Sequence, residues 1–235
     1  MTRLAVIGLV VATALFWAMP GLDLAVSGWF YDGAGFPVRN TRWIEALRLT
    51  LYAAEDAAAV VTLGLALLTV WRGITVVRLA ARDWFYAFGV FALGPGLVVN
   101  GILKRFWGRA RPSAVVEFGG TAQFTPAWQI ADQCPKNCSF VSGEMSGAVA
   151  LAILFWMVVW ANRAALGPRG VRAGLIAAAV VPLFTAWQRV AAGQHFLSDV
   201  VLGGLIVVLI AALLRRLVYP SGPGASAVDF PPSTP

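Results

Sequence analysis

The sequence predicts an all-α, polytopic membrane protein in which six transmembrane helices form one bundle. Of its 235 residues, 59% are hydrophobic and only 12% are charged, whereas soluble domains average about 25% charged residues. The apolar residues also gather in runs close to the roughly 20 residues that a helix needs to cross a bilayer. This composition excludes a soluble globular domain, a disordered chain and a coiled coil.

Six apolar segments are the predicted spans. They run at about 4–20, 49–71, 84–104, 142–161, 173–188 and 195–217. The first follows Arg3 and has a signal peptide as its alternative interpretation, but five further spans favour a membrane helix. We expect one domain at 1–220. The tail at 221–235 is rich in Pro, Ser, Gly and Ala, and it is predicted to be disordered.

The distribution of basic residues predicts the orientation of the chain, whose net charge is +7. Nucleic acid would need a solvated basic face, but these residues lie between apolar runs, so we expect the lipid bilayer and no nucleic acid as partner. The positive-inside rule makes the Arg-rich loops and ends cytoplasmic. They carry Arg3, Arg72, Arg78, Arg82, Arg163, Arg169, Arg172, Arg215 and Arg216. The opposite side still keeps several basic residues between 104 and 111, which indicates that it binds an anion.

The outer loop contains the two cysteines of the chain, Cys134 and Cys138. An oxidising periplasm would allow them to form a disulfide that stiffens this loop, and two free thiols are the alternative. Two cysteines cannot build a structural zinc site, and His195 is the single histidine. We therefore expect no metal site.

Polar residues stand at the outer ends of four predicted spans, so the topology alone brings them to one face of the membrane. Span three is followed by Lys104 and Arg111, span four opens with Ser142, Gly143 and Glu144, span five closes with Arg189, and span six opens with His195 and Asp199. Cations, a histidine, carboxylates and a helix N-terminus can therefore converge.

The basic members of this set suit a phosphate group. Lys104 and Arg111 are seven residues apart, so they share a face if a helix continues until Pro112 stops it. Arg111 and Arg189 can hold phosphate oxygens in bidentate fashion, and Lys104 adds a point charge.

The remaining members suit nucleophilic chemistry on that phosphate. The backbone N–H groups at Ser142 and Gly143 open a helix, whose positive end attracts anions. His195 and Asp199 are four residues apart on a predicted helix. A carboxylate bound to one ring nitrogen would fix the tautomer and leave the other nitrogen as a nucleophile.

Three motifs carry a resemblance to a known family. They are K-x6-RP (Lys104, Arg111, Pro112), SG (Ser142, Gly143) and R-x5-H-x3-D (Arg189, His195, Asp199). Together they resemble the phosphatidic-acid phosphatase type 2 superfamily of membrane lipid phosphatases. The resemblance implies a metal-independent phosphatase that needs no cofactor and works through a phosphohistidine. It makes His195 the nucleophile and Asp199 the residue that orients it. The implied phosphate ligands are Lys104, Arg111, Ser142, Gly143 and Arg189.

The chain departs from the family pattern at two motifs. The family's P-S-G-H is Val141 to Glu144 here, and its S-R is Gln188 followed by Arg189. The P-S-G-H histidine is the general acid of the family. Because no second histidine exists, Glu144 takes its position, and we expect it to be the acid.

The stretch from Cys138 to Glu144 resembles the lipid A 4′-phosphatase branch of Gram-negative bacteria. This implies a phosphorylated membrane lipid as substrate, an inner-membrane location and a site that faces the periplasm, with no obligate protein partner. Lipid A is favoured over undecaprenyl pyrophosphate, phosphatidic acid and phosphatidylglycerol phosphate. A lipid phosphotransferase and a non-catalytic lipid-phosphate binder or transporter remain alternatives.

Three polar residues fall inside predicted spans. Glu55 and Asp56 are candidates for contact with substrate, and their alternative is pairing with an arginine or lining a wet cavity. Asn100 is predicted to donate a hydrogen bond between helices.

Overall fold

The computed structural model describes residues 2–220, so the predicted tail at 221–235 lies outside the described residues. Seven helices build this part of the chain. They are α1 (Thr2–Ala18), α2 (Gly21–Gly28), α3 (Arg42–Arg72), α4 (Ala81–Phe106), α5 (Gly143–Ala161), α6 (Arg163–Ala191) and α7 (Leu197–Val218). The predicted all-α, polytopic fold is confirmed.

Five of the described helices, α3 to α7, are long and apolar enough to cross a membrane. Helix α1 is shorter, and α2 follows it at an angle of 85°. The number of spans rises to six if this bent pair counts as one. Pro20 lies at the bend, and proline has no N–H for the helix ladder and crowds the preceding turn, which explains why α1 ends at Ala18.

The segment predicted to lie at the outer membrane surface, 21–47, contains three pieces of structure. Helix α2 packs against α7 and buries Asp23. A 3₁₀ turn at Pro37–Asn40 follows, and α3 then begins at Arg42, seven residues before the predicted start at 49. The additional first turns of α3 are partly polar, and they line a polar cavity at one end of the bundle.

Helix α4 widens into a π-helical stretch at Ala92–Leu103, which contains Pro95. Because Pro95 donates no backbone hydrogen bond, the regular ladder is broken there. The side-chain amide of Asn100 donates to the carbonyl oxygen of Pro95 at 2.8 Å. The predicted interhelical bond of Asn100 is therefore wrong, since its amide bonds within its own helix.

The bundle packs around α5, which contacts α6, α7, α3 and α4. A hydrophobic cluster in the membrane part joins α4, α5 and α7 through Val90, Met157 and Val207. The long loop between α4 and α5 folds over one end of the bundle and has its own apolar contacts, among them Val115 with Phe196. The loop thereby covers part of this end.

Candidate active site

A polar cavity of about 500 Å³ opens at one end of the bundle. Six of the predicted site residues line it, namely Lys104, Arg111, Gly143, Glu144, Arg189 and His195. Ser142 and Asp199 lie behind this wall and are fully buried. The start of α3 and the turn before it contribute Arg39, Glu45, Arg48 and Tyr52, none of which the sequence motifs indicated.

Lys104 and Arg111 meet in the cavity by a route different from the predicted helix. Helix α4 ends at Phe106, Gly108 adopts a φ of 64°, and Arg111 is extended, so the predicted helical continuation to Pro112 is wrong. The loop between α4 and α5 crosses so closely that a Cβ at Gly108 would overlap the carbonyl oxygen of Ala131. Gly108 was the available sequence signal that the helix ends early.

Asn137 connects these two cations. Nε and Nη2 of Arg111 donate to its carbonyl oxygen at 3.2 and 2.9 Å, and Nζ of Lys104 donates to its side-chain oxygen at 3.3 Å. Nη1 of Arg111 donates to the side-chain oxygen of Gln194. Asn137 stands inside the short loop that a disulfide between Cys134 and Cys138 closes. The disulfide therefore fixes a residue that bonds to both of these predicted phosphate ligands.

The N-terminus of α5 faces the cavity. Ser142 caps the helix, since its Oγ accepts from the backbone N–H of Met145 at 3.3 Å. Gly143 forms the wall itself, and a Cβ there would lie 2.7 Å from Oδ1 of Asn100 and 3.3 Å from Nζ of Lys104. Only glycine leaves this space for an anion at the helix end.

His195 lies in the turn before α7 rather than on that helix, which begins at Leu197. Its Nδ1 lies 2.7 Å from the carbonyl oxygen of Ser139. Because a carbonyl only accepts, Nδ1 carries the proton and Nε2 keeps a free lone pair. Burial, with the charges of Lys104, Arg111 and Arg189, lowers the pKa of His195 well below its usual 6.5. The ring is thus neutral and suited to nucleophilic attack.

The spacing of four residues on one helix predicted a direct bond between Asp199 and His195. The structure shows no such bond. Oδ2 of Asp199 accepts from Oγ of Ser139 at 2.5 Å and from the N–H of Phe196 at 2.9 Å, and it lies 3.9 Å from Nδ1 of His195. The carboxylate therefore holds the chain on both sides of the ring.

A fully buried guanidinium, that of Arg109, bonds to two carboxylates behind the cavity. It bonds to Oδ1 of Asp199 at 2.6 Å and to Oδ2 of Asp23 at 2.8 Å. It also donates to the carbonyl oxygen of Thr125 and stands 4.3 Å from the ring centre of Phe196. Asp23 in turn accepts from the N–H of Ser198. No sequence motif indicated this role of Asp23 and Arg109.

Glu144 lies in the same cavity wall as His195 and is held by two arginines. Its Oε1 accepts from Nη1 of Arg189 at 2.6 Å and from Nη1 of Arg48 at 2.9 Å. Because Oε1 already accepts from two donors, a proton carried by Glu144 would sit on Oε2. The two carboxylates that were candidates in span two lie elsewhere, since Glu55 is buried outside the cavity wall and Asp56 is exposed.

The fold and the site define a multi-pass membrane protein whose helices hold, at one end, a cavity lined by cations and a neutral histidine. The chain belongs to the PAP2 superfamily, whose sequence model matches residues 83–223. No solved structure matches it.

Curated relatives give the same result over most of the chain. The lipid A 4′-phosphatase of Rhizobium leguminosarum is 35% identical over 226 residues, covering 87% of this chain and 90% of its own. That of Rhizobium etli is also 35% identical, covering 87% and 82%. That of Francisella tularensis subsp. novicida is 39% identical over 127 residues, 54% of each chain. The family and these relatives indicate a membrane phosphatase that hydrolyses phosphoric monoesters.

Proposed function

We propose that this protein removes the 4′-phosphate of lipid A at the periplasmic face of the bacterial inner membrane. The observation that carries the proposal is the cavity, whose wall brings together three cations, a helix N-terminus and a neutral histidine that is bonded through Nδ1. The relatives over most of the chain are lipid A 4′-phosphatases, and this favours lipid A among membrane lipids that carry a phosphate monoester.

In the proposed reaction, Nε2 of His195 attacks phosphorus and the bond to the sugar oxygen breaks. Lys104, Arg111 and Arg189 bind the equatorial oxygens, whose negative charge is present throughout the transfer. Glu144 gives its proton to the departing sugar oxygen. In the second half, Glu144 takes a proton from water, the hydroxide attacks the phosphohistidine, and inorganic phosphate leaves with the histidine and the protonated Glu144 restored.

A panel of lipid phosphates tests the substrate. The purified protein in detergent is given lipid A with a phosphate at 4′ only, lipid A with a phosphate at 1 only, undecaprenyl pyrophosphate and phosphatidic acid, each with EDTA. We expect phosphate release from the 4′ species and no loss of rate with EDTA, with His195→Ala as the inactive control. Release from undecaprenyl pyrophosphate or phosphatidic acid alone would overturn the lipid A proposal.

The orientation has its own test, because the site and the Arg-rich loops lie at opposite ends of the bundle. Thr121→Cys places a thiol in the loop between α4 and α5, and Leu166→Cys places one in the first turn of α6. An impermeant maleimide added to spheroplasts should label the first variant and spare the second. The reverse pattern would place the cavity on the cytoplasmic side.

A further inference from the structure

The first turns of α3 contribute an arginine that reaches the proposed acid. Arg48 lies outside the region that the family model matches, residues 83–223, yet it donates to Glu144 across 96 positions of sequence. Glu144 is also the position at which this chain carries a carboxylate where the family pattern has a histidine. A guanidinium can donate to a carboxyl oxygen in either protonation state, whereas a protonated histidine has two donors and offers it no acceptor. The two residues therefore suit one another.

Arg48 is itself fixed and largely neutralised by Glu45. Nε of Arg48 donates to Oε2 of Glu45 at 2.9 Å, and Nη2 donates to Oε1 at 2.6 Å, so the two groups form a bidentate pair one helical turn apart. This pairing leaves Nη1 to donate to Glu144. Because Glu45 balances the charge, Arg48 acts on Glu144 as an oriented donor more than as a free cation.

The bond to Arg189 differs from the bond to Arg48, because Arg189 is one of the proposed phosphate ligands. An incoming phosphate dianion competes with Glu144 for Nη1 of Arg189, whereas Arg48 stays paired with Glu45. Glu144 then keeps one donor and loses one. Oε1 remains anchored whether the carboxyl is ionised or protonated, and Oε2 is the oxygen that can carry the proton.

We infer that Arg48 is a positioning residue for Glu144. It holds Oε1 of Glu144 when phosphate takes the place of Glu144 on Arg189, so that Oε2 faces the leaving group. The inference rests on the proposed function in that it needs a phosphoryl transfer at His195. It assigns a role in the reaction to the start of α3, which the family motifs do not include. The proton passes from Oε2 to the departing oxygen in the first half and returns from water in the second.

Arg48→Gln removes the fixed donor and separates this role from a structural one. The variant is assayed with a sugar phosphate, which has a poor leaving group, and with p-nitrophenyl phosphate, which needs little protonation. Hydrogen bonds to charged groups suggest a fall in kcat of about 10–100-fold on the sugar phosphate. We expect little change on p-nitrophenyl phosphate, a KM within about threefold, and partial rescue by Arg48→Lys. Arg42→Gln, an exposed arginine on the same helix, is the matched control and should leave both rates unchanged.

The double variant Arg48→Gln/Glu144→Gln completes the test. If Arg48 acts through Glu144, the double variant loses no more kcat on the sugar phosphate than Glu144→Gln loses alone. Equal losses of Arg48→Gln on both substrates, or additive losses in the double variant, would overturn the inference and give Arg48 a structural or binding role. A wild type that hydrolyses these soluble esters but no lipid A would overturn the proposed substrate and leave this result standing.

Discussion

Oδ2 of Asp199 lies 3.9 Å from Nδ1 of His195, and the carbonyl oxygen of Ser139 stands closer, at 2.7 Å from the same nitrogen. The carboxylate orients the ring through its neighbours, since it holds the hydroxyl of Ser139 and the N–H of Phe196. Ser139 thus connects the two groups, accepting from the ring with its backbone and donating to Asp199 with its side chain. The charge of Asp199 is balanced at its other oxygen by Arg109.

Asp199→Asn should therefore reduce stability as well as activity. Asparagine keeps a single acceptor oxygen, and its NH2 group would face Arg109 or the N–H of Phe196. A buried polar group that loses its partner in this way typically costs about 1–3 kcal/mol. Thermal unfolding in detergent should show a lower Tm for Asp199→Asn and for Asp23→Asn, which removes the second partner of Arg109. His195→Ala should keep the wild-type Tm within a few degrees. An Asp199→Asn variant with wild-type Tm and low turnover would instead assign Asp199 to the chemistry alone.

His195→Ala should abolish turnover and the covalent intermediate together. The ring is the one group in the described cavity with a free nitrogen lone pair next to three cations, so we expect the phosphoryl group on Nε2. Rapid quench with base, which preserves phosphohistidine, followed by mass spectrometry should locate the phosphate at residue 195. Phosphate on any other residue, or normal rates without His195, would contradict the mechanism.

The pH dependence of kcat/KM follows from the lowered pKa of His195. Attack needs the neutral ring, so this group reduces kcat/KM only as the pH falls through its pKa in the free enzyme. Burial, Lys104, Arg111 and Arg189 place that pKa well below the usual 6.5. The His195 limb should therefore lie on the acid side of 6.5, and neutral pH should be on the plateau.

The phosphate of the substrate also titrates, with a second pKa near 6, and the two limbs must be separated. Two substrates whose phosphate pKa values differ serve this purpose, because a limb due to the phosphate moves with the substrate. The limb due to His195 stays in place. A limb near 6.5 that is common to both substrates would show that His195 titrates normally.

The sequence predicted the parts of this protein that depend on local pattern. The apolar runs predicted α3 to α7, and the motif spacing predicted six of the residues that line the cavity. The missing parts depend on contacts between distant segments. No pattern links Arg48 to Glu144 or Asp23 to Arg109, since these pairs form only when α2 and α3 pack against the bundle. The prediction of one helix from Lys104 to Arg111 was wrong because the chain turns at Gly108, where the loop around Ala131 crosses it.

Gly143→Ala should block the cavity while leaving the bundle intact. Alanine is a better helix former than glycine, so the change itself favours α5. Its methyl group would nevertheless stand 2.7 Å from Oδ1 of Asn100 and within contact of Nζ of Lys104. We expect a raised KM for every phosphate ester and a much weaker inhibition by inorganic vanadate or phosphate, measured by competition. Unchanged affinity for these anions would place phosphate away from the N-terminus of α5.

Glu144→Gln should slow esters in proportion to how poorly their alcohol leaves. A sugar alkoxide needs a proton as the bond to phosphorus breaks, and general acid catalysis is worth about 10²–10⁴-fold. The p-nitrophenolate ion leaves without that help, so its ester should be far less affected. Glutamine keeps the size of the side chain and can still accept from Arg48 and Arg189 with its carbonyl oxygen, so the cavity retains its shape. The measurement is kcat for both ester types, with and without the substitution. Equal losses on both would mean that Glu144 binds or positions the substrate. No loss on either would remove Glu144 from proton transfer and leave water as the donor, which would favour a pyrophosphate as the natural substrate, since its leaving group is already a weak base.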